Sequence, residues 1–194
     1  MNPDFLIDAY ETERLKTLGV WAQISDADFD WRPEPRARTP HEHMVHQCLS
    51  EDTWMTKMLN LPVDRPPLPA VETIPAFVAH YGDASRLRLE RLGHVAPEWW
   101  DEATGFFDVL RSRAWVMVRR LVHTAHHRGQ LTAFLRWRGA PLYSTYGPTA
   151  DTGGLAANGA IVVYPGVPGS SAWPTLPGPG SPPATERPDT GRRP

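Results

Sequence analysis

The sequence predicts an all-α protein, an antiparallel four-helix bundle with a Pro/Gly-rich disordered C-terminal tail. Three observations carry that expectation. Apolar residues recur at helical spacing in four segments, strand-like alternation is nearly absent, and the composition changes abruptly near residue 150. From Ala150 to Pro194 there are 9 prolines and 8 glycines in 45 residues. Proline removes backbone donors and glycine adds backbone entropy, so that stretch cannot form packed elements cheaply. The expected organisation is a helical body over 1–150 and a tail over 151–194. Within the tail, 166–194 reads as disordered, and the apolar patch AIVVYP at 160–165 as a short extended piece docked on the body.

The first helix is expected over 4–24, with Leu6, Tyr10, Trp21 and Ile24 near one face. It stops before the polar run SDADFDWRPEPRARTP. The second start is the clearest local signal. Thr39-Pro40-His41-Glu42 is a capping box with proline at the first helical position, so a helix should run from 40 to about 59. NLPVDRPPLPAVE then forbids regular structure. The third helix, 74–92, sets Ile74, Phe77, Val78, Tyr81, Ser85, Leu89 and Leu92 on one stripe. Residues 93–110 read as a long loop. Ser112 caps the fourth helix, which runs to Arg138 and stops at Gly139, with Pro141 just beyond. Trp21, Trp54, Trp115 and Trp137 are expected to fill the core, and Trp99 and Trp100 to pack or to line a pocket mouth.

The chain has 194 residues and a formal net charge of −2, with 41 % hydrophobic and 22 % charged residues, an ordinary balance that leaves room for a sizeable core. No apolar run approaches the roughly 20 residues that span a bilayer, and the acidic MNPDFLIDAYETER is unlike a signal peptide. The single cysteine, Cys48, excludes an internal disulfide framework, and a cytoplasmic location is the default expectation. Direct nucleic-acid binding is not expected. The arginines of the fourth helix (Arg111, Arg113, Arg119, Arg120, Arg128, Arg136, Arg138) spread around it rather than along one face, as solvated or salt-bridged groups do.

Six of the eight histidines fall in two windows, His41, His43 and His46 in HEHMVHQCLSED, and His123, His126 and His127 in RLVHTAHHRGQLTAFLRWRG. Imidazole is the commonest metal ligand among side chains. The windows lie 77 residues apart, from 46 to 123, on two expected helices, which points to one site built across a helix pair. His123 and His127 are one turn apart on one face, in a stripe with Val116 and Phe134. His126 turns toward Arg119 and Trp137. His43 and His46 share a face and either could supply a third nitrogen, whereas His41 points elsewhere. Three imidazoles with an open fourth position suit zinc in a catalytic arrangement, and nickel fits the same donors.

The run HTAHHRGQLTAFLRWRGAP resembles the signature of the DinB-like (DinB/YfiT) superfamily of metal-binding four-helix bundles. There, a histidine, three intervening residues and then HRGQ mark a late helix, and a further histidine comes from an earlier one. His123, His127, Arg128, Gly129 and Gln130 match. The earlier histidine is typically followed five positions later by an acid, which fits His46 with Glu51 rather than His43. PLYSTYGPTADTGG is similar to a segment of one branch, so the resemblance covers about 1–155. It implies a divalent metal on His46, His123 and His127. Some relatives are transferases or isomerases that use mycothiol or bacillithiol. The implied activity is therefore thiol transfer to a small electrophilic molecule, with the thiol as co-substrate, ahead of hydrolysis or a non-catalytic metal-binding module in a stress response.

Glu51, His126 and Arg128 are the candidate catalytic groups. Glu51 could orient a ligand histidine, while Glu42 is already used in capping. Arg128 could hold an anionic substrate group, although a salt bridge suits its helical phase better. Cys48 reads as buried packing. A homodimer through the outer helix faces is compatible with this pattern.

Overall fold

The computed structural model describes residues 4–140 and residue 142. The expectations for 143–194, including the disordered tail and the docked 160–165 piece, lie outside the described residues. Four helices dominate: α1 (Asp4–Trp21), α2 (Pro40–Thr53), α3 (Ile74–Leu92) and α4 (Arg113–Trp137). α1 packs on α3 and α4, and α2 packs on α4 and α3.

The helix starts are chemically explicit. Thr39 accepts the Glu42 amide, and the Glu42 carboxylate accepts the Thr39 amide, a capping box that satisfies two otherwise orphaned donors. Thr73 caps α3 through the Ala76 amide, and Ser112 caps α4 through the Trp115 amide. Gly139 ends α4 with φ 73°, a left-handed position that favours glycine. At the end of α2 the chain widens into a π-helical turn, Trp54–Met58, and Asn60 at φ 56° closes it.

The helix directions follow from two apolar clusters. Leu6 and Tyr10 of α1 meet Met55, Leu92, Val116 and Met117 in one. Leu18 and Trp21 meet Met44, Cys48, Tyr81, Leu131 and Leu135 in the other. Both α1 and α4 therefore run from the first cluster to the second, while α2 and α3 run the opposite way. So α2 is antiparallel to α4, whereas α1 parallels α4 and α2 parallels α3; the long 59–73 connection makes the latter pairing feasible.

Four expectations need correction. The bundle is not antiparallel throughout, since α1 runs parallel to α4 and α2 parallel to α3. Residues 93–110 are not a structureless loop. They include a 3-10 turn, Pro97–Trp100, and a hairpin of β1 (Ala103–Phe106) and β2 (Val109–Ser112), with Phe106 paired to Val109. The first helix ends at Trp21 rather than 24, although Ile24 is still buried. Trp115 and Trp137 are not core residues. They are 40 % and 68 % exposed, because α4 turns its buried stripe through Val116, Leu131 and Phe134 instead. Trp21 and Trp54 are buried as expected, and Trp100 is buried with Trp99 edge-on at 5.0 Å.

Candidate metal centre

The antiparallel α2/α4 pair brings the two histidine windows face to face. His46 Nε2 lies 3.3 Å from His123 Nε2, and His127 Nε2 lies 3.2 Å from the same atom. One nitrogen from each of His46, His123 and His127 falls within 4.8 Å of the others. Three nitrogens held about 2.0–2.1 Å from a tetrahedral zinc ion would be about 3.3–3.4 Å apart, so the spacing fits such an ion. Neutral imidazoles offer only one lone pair each, and a shared cation would require all three of those lone pairs to face inward.

The surroundings favour neutral rings. Burial, reinforced by Arg120 and the neighbouring histidines, lowers His123 to about 3. Burial and His46 lower His127 to about 4. His46 is lowered in the same sense by burial and by Arg38 and Arg120. Ligands that stay deprotonated at neutral pH pay no proton-release cost on binding a metal.

Two neighbours set ring orientation. Gln130 Oε1 sits 3.0 Å from His127 Nδ1 and can only accept, so the Nδ1 proton points at Gln130 and the Nε2 lone pair points into the centre. This gives the glutamine of HRGQ a physical task. Arg120 Nη1 lies 3.1 Å from His123 Nδ1. A guanidinium only donates, so this contact draws the Nδ1 lone pair, and a neutral ring would then carry its proton on Nε2. An ion on His123 Nε2 thus requires Arg120 to give way or the ring to lose its second proton. Trp54, at the start of the π-helical turn, stacks on the His123 ring at 5.4 Å and 27° and shields it on that face.

The remaining candidates fall elsewhere. His43 is buried beside His127, with ring centroids 5.3 Å apart, but stays outside the trio. His41 stacks on Phe29 at 4.5 Å and bridges Asp30 and Glu72. His126 is exposed and edge-on to His127 at 5.0 Å. Arg128 is bonded to the Glu13 carboxylate and carbonyl, tying α4 to α1. Cys48 is buried, and burial pushes its thiol pKa up, away from nucleophilic use.

Glu51 touches no histidine. It is 1 % exposed and accepts from Tyr10 Oη at 2.7 Å, Tyr81 Oη at 2.6 Å, Arg120 Nη2 at 3.1 Å and Arg88 Nη1 at 3.3 Å. Burial alone would raise its pKa, but Arg120, Arg88 and the two phenols hold it below the usual carboxylate value. Glu51 reaches the centre only through Arg120, whose other nitrogen meets Ser50 Oγ and His123. Arg120 and Arg88 are the site residues that sequence reasoning missed. A signal existed for Arg120. It lies seven residues before His127, about two helical turns, and so falls on the buried stripe.

Residues 9–131 match the family model of the DinB superfamily, and the chain belongs to that superfamily. A DinB-like protein from Bacillus cereus ATCC 10987 superposes with a TM-score of 0.64 at 16 % identity, covering 72 % of this chain and 95 % of that one. The DinB-like protein YjoA from Bacillus subtilis gives 0.58 at 16 % identity, with 70 % and 92 % covered. At that identity the likeness shows the fold alone. No curated protein matches the chain.

Proposed function

We propose that His46, His123 and His127 hold a divalent cation, zinc first and nickel second, and that the chain is a metal-dependent enzyme acting on a small molecule. The observation that carries this reading is that His46 Nε2 and His127 Nε2 lie 3.3 and 3.2 Å from His123 Nε2, one nitrogen of each ring within 4.8 Å of the others, with Gln130 fixing the tautomer of one ring. A bound divalent ion supplies Lewis acidity that lowers the pKa of a water or thiol. The protein's own share is to keep the rings neutral and to exclude water on the Trp54 side.

The reaction we propose is transfer of a low-molecular-weight thiol of the mycothiol or bacillithiol type to an electrophilic carbon. Hydrolysis ranks second, because it calls for a base beside the centre and Glu51 is held inside a ring of four donors. His126 is exposed beside His127 and is the remaining candidate base. No helix among the described residues is long and apolar enough to cross a membrane. A cytoplasmic setting accords with a lone buried thiol. Homodimer formation is supported by Val118 and Val122, which lie exposed on α4.

Protein purified without chelator is expected to carry about one equivalent of divalent metal, and less than about half an equivalent would overturn the reading. Mycothiol, bacillithiol and glutathione would then be offered with a chlorinated dinitrobenzene. Metal-dependent conjugation with one of them is expected. Ester or amide cleavage with no thiol consumed would put hydrolysis first.

A further inference from the structure

A groove of about 460 Å³ lies beside the histidine centre, between the 33–38 segment and the last turns of α4. Arg36 and Arg38 line one side, Phe134 and Trp137 the other, with His43 and Gln130 completing the wall. Two of these contact His127, although none of the three ligand histidines lines the groove itself. Gln130 bonds His127 Nδ1, and the His43 ring lies 5.3 Å from that of His127. A molecule seated in the groove would therefore sit behind His127, against the Gln130 and His43 side chains that contact it.

The charge of this groove is one-sided. None of its lining residues is acidic. Nearby carboxylates are already engaged, Glu34 with Arg36 and Glu42 with Arg32. Arg38 is exposed and has no hydrogen bond or ion pair among the described residues. Its charge nevertheless reaches the Glu42 carboxylate, and also His43, His46 and His127, each of which it helps to keep neutral. His43 adds a second unmet demand, since its buried Nδ1 has no hydrogen-bond partner among the described residues. Opposite stand the exposed indole of Trp137 and the ring of Phe134. A guanidinium with no hydrogen-bonded carboxylate, sharing a groove with the exposed Trp137 indole, suits an organic anion with a flat apolar body.

We propose that this groove seats the substrate, that Arg38 is its specificity-determining anchor, and that the substrate class is a small carboxylate carrying an apolar or aromatic group. The proposal rests on the reading of the centre as a metal site. Arg38 and the carboxylate would pair at the mouth, leaving the substrate body between the 33–38 segment and Trp137.

The test is calorimetric titration of the zinc-loaded full chain with phenylacetate, with its neutral counterpart 2-phenylethanol, and with inorganic phosphate. Phenylacetate should bind, 2-phenylethanol more weakly, and Arg38→Ala should weaken phenylacetate about fivefold, with partial recovery in Arg38→Lys. Equal phenylacetate affinity in wild type and Arg38→Ala would overturn the proposal. So would equal affinity for 2-phenylethanol, or binding of phosphate alone. Repeating the titration after chelation separates the two readings. Arg38-dependent binding by a protein that never holds metal would keep the groove and sink the centre. Full metal content with Arg38-independent binding would sink the groove alone.

Discussion

His46 and Glu51 are five residues apart on α2, and each faces α4, yet the two sites they anchor are opposites. Glu51 is a buried charge that the protein completes by itself, with two phenols and two guanidinium groups around one carboxylate. The histidine centre gathers three imidazoles, His127 buried and His46 and His123 partly exposed, with the Arg120 guanidinium on one of them. A charge site closed by the protein's own side chains has the character of structure, whereas three imidazoles held deprotonated fit an added cation. Arg120 belongs to both, bonding Glu51 with one nitrogen and His123 with the other.

The largest test of this contrast is Glu51→Ala. It strips a buried network of its shared acceptor, leaving Arg120 with no carboxylate and Arg88 with Asp52 alone, so a loss of about 3–5 kcal/mol in urea unfolding is expected. A loss below about 1 kcal/mol would mean that Glu51 is not structural. His123→Ala should do the reverse. Metal content should fall below about half an equivalent, while the stability of chelated protein shifts by no more than about 1 kcal/mol. If His123→Ala unfolds the chain, the ion serves structure and the contrast disappears.

Gln130→Ala tests a finer point. It leaves all three ligands in place but frees the His127 tautomer, and zinc affinity in competition with a chelating dye should drop about tenfold. An unchanged affinity would remove Gln130 from the site. The mildest expected effect is on pH dependence. In chelated protein, His123, His127 and His43 titrate at about 3, 4 and 4, against about 6.5 when unfolded. Between those values the unfolded chain holds more protons, so stability is full above about 6.5 and declines as pH falls toward 4. Glu51, with a lowered folded pKa, loses its contribution only below the unfolded carboxylate value of about 4.3. Replacing His46, His123 and His127 together by Gln should shrink the upper limb and spare the lower one, as followed by the urea midpoint against pH.

Helix starts were legible because they are local. Thr39 with Glu42, Thr73 and Ser112 each act within three residues. The histidine trio was legible for a related reason, since helical phase puts His123 and His127 on one face; the choice of His46 over His43 needed the family pattern. The hairpin was hidden because its turn, Phe107-Asp108, lacks the usual glycine or asparagine, and Phe107 sits at φ 53°, where a bulky side chain is costly. Trp115 and Trp137 misled because hydrophobicity alone does not tell which side of α4 a ring occupies. The Glu51 network could not be foreseen from spacing, because Tyr10, Tyr81, Arg88 and Arg120 come from three other helices.

The distance along the chain between His46 and His123 has its own thermodynamic meaning. An ion shared by His46 and His123, 77 positions apart, would be a removable crosslink across a long loop, closed by the surrounding medium rather than by covalent chemistry. If it binds the folded state alone, a thousandfold excess of free ion over Kd adds about 4 kcal/mol to the unfolding free energy. The lifetime of this protein in a cell would then track the available metal, and its abundance could report scarcity of that metal before any catalytic rate did.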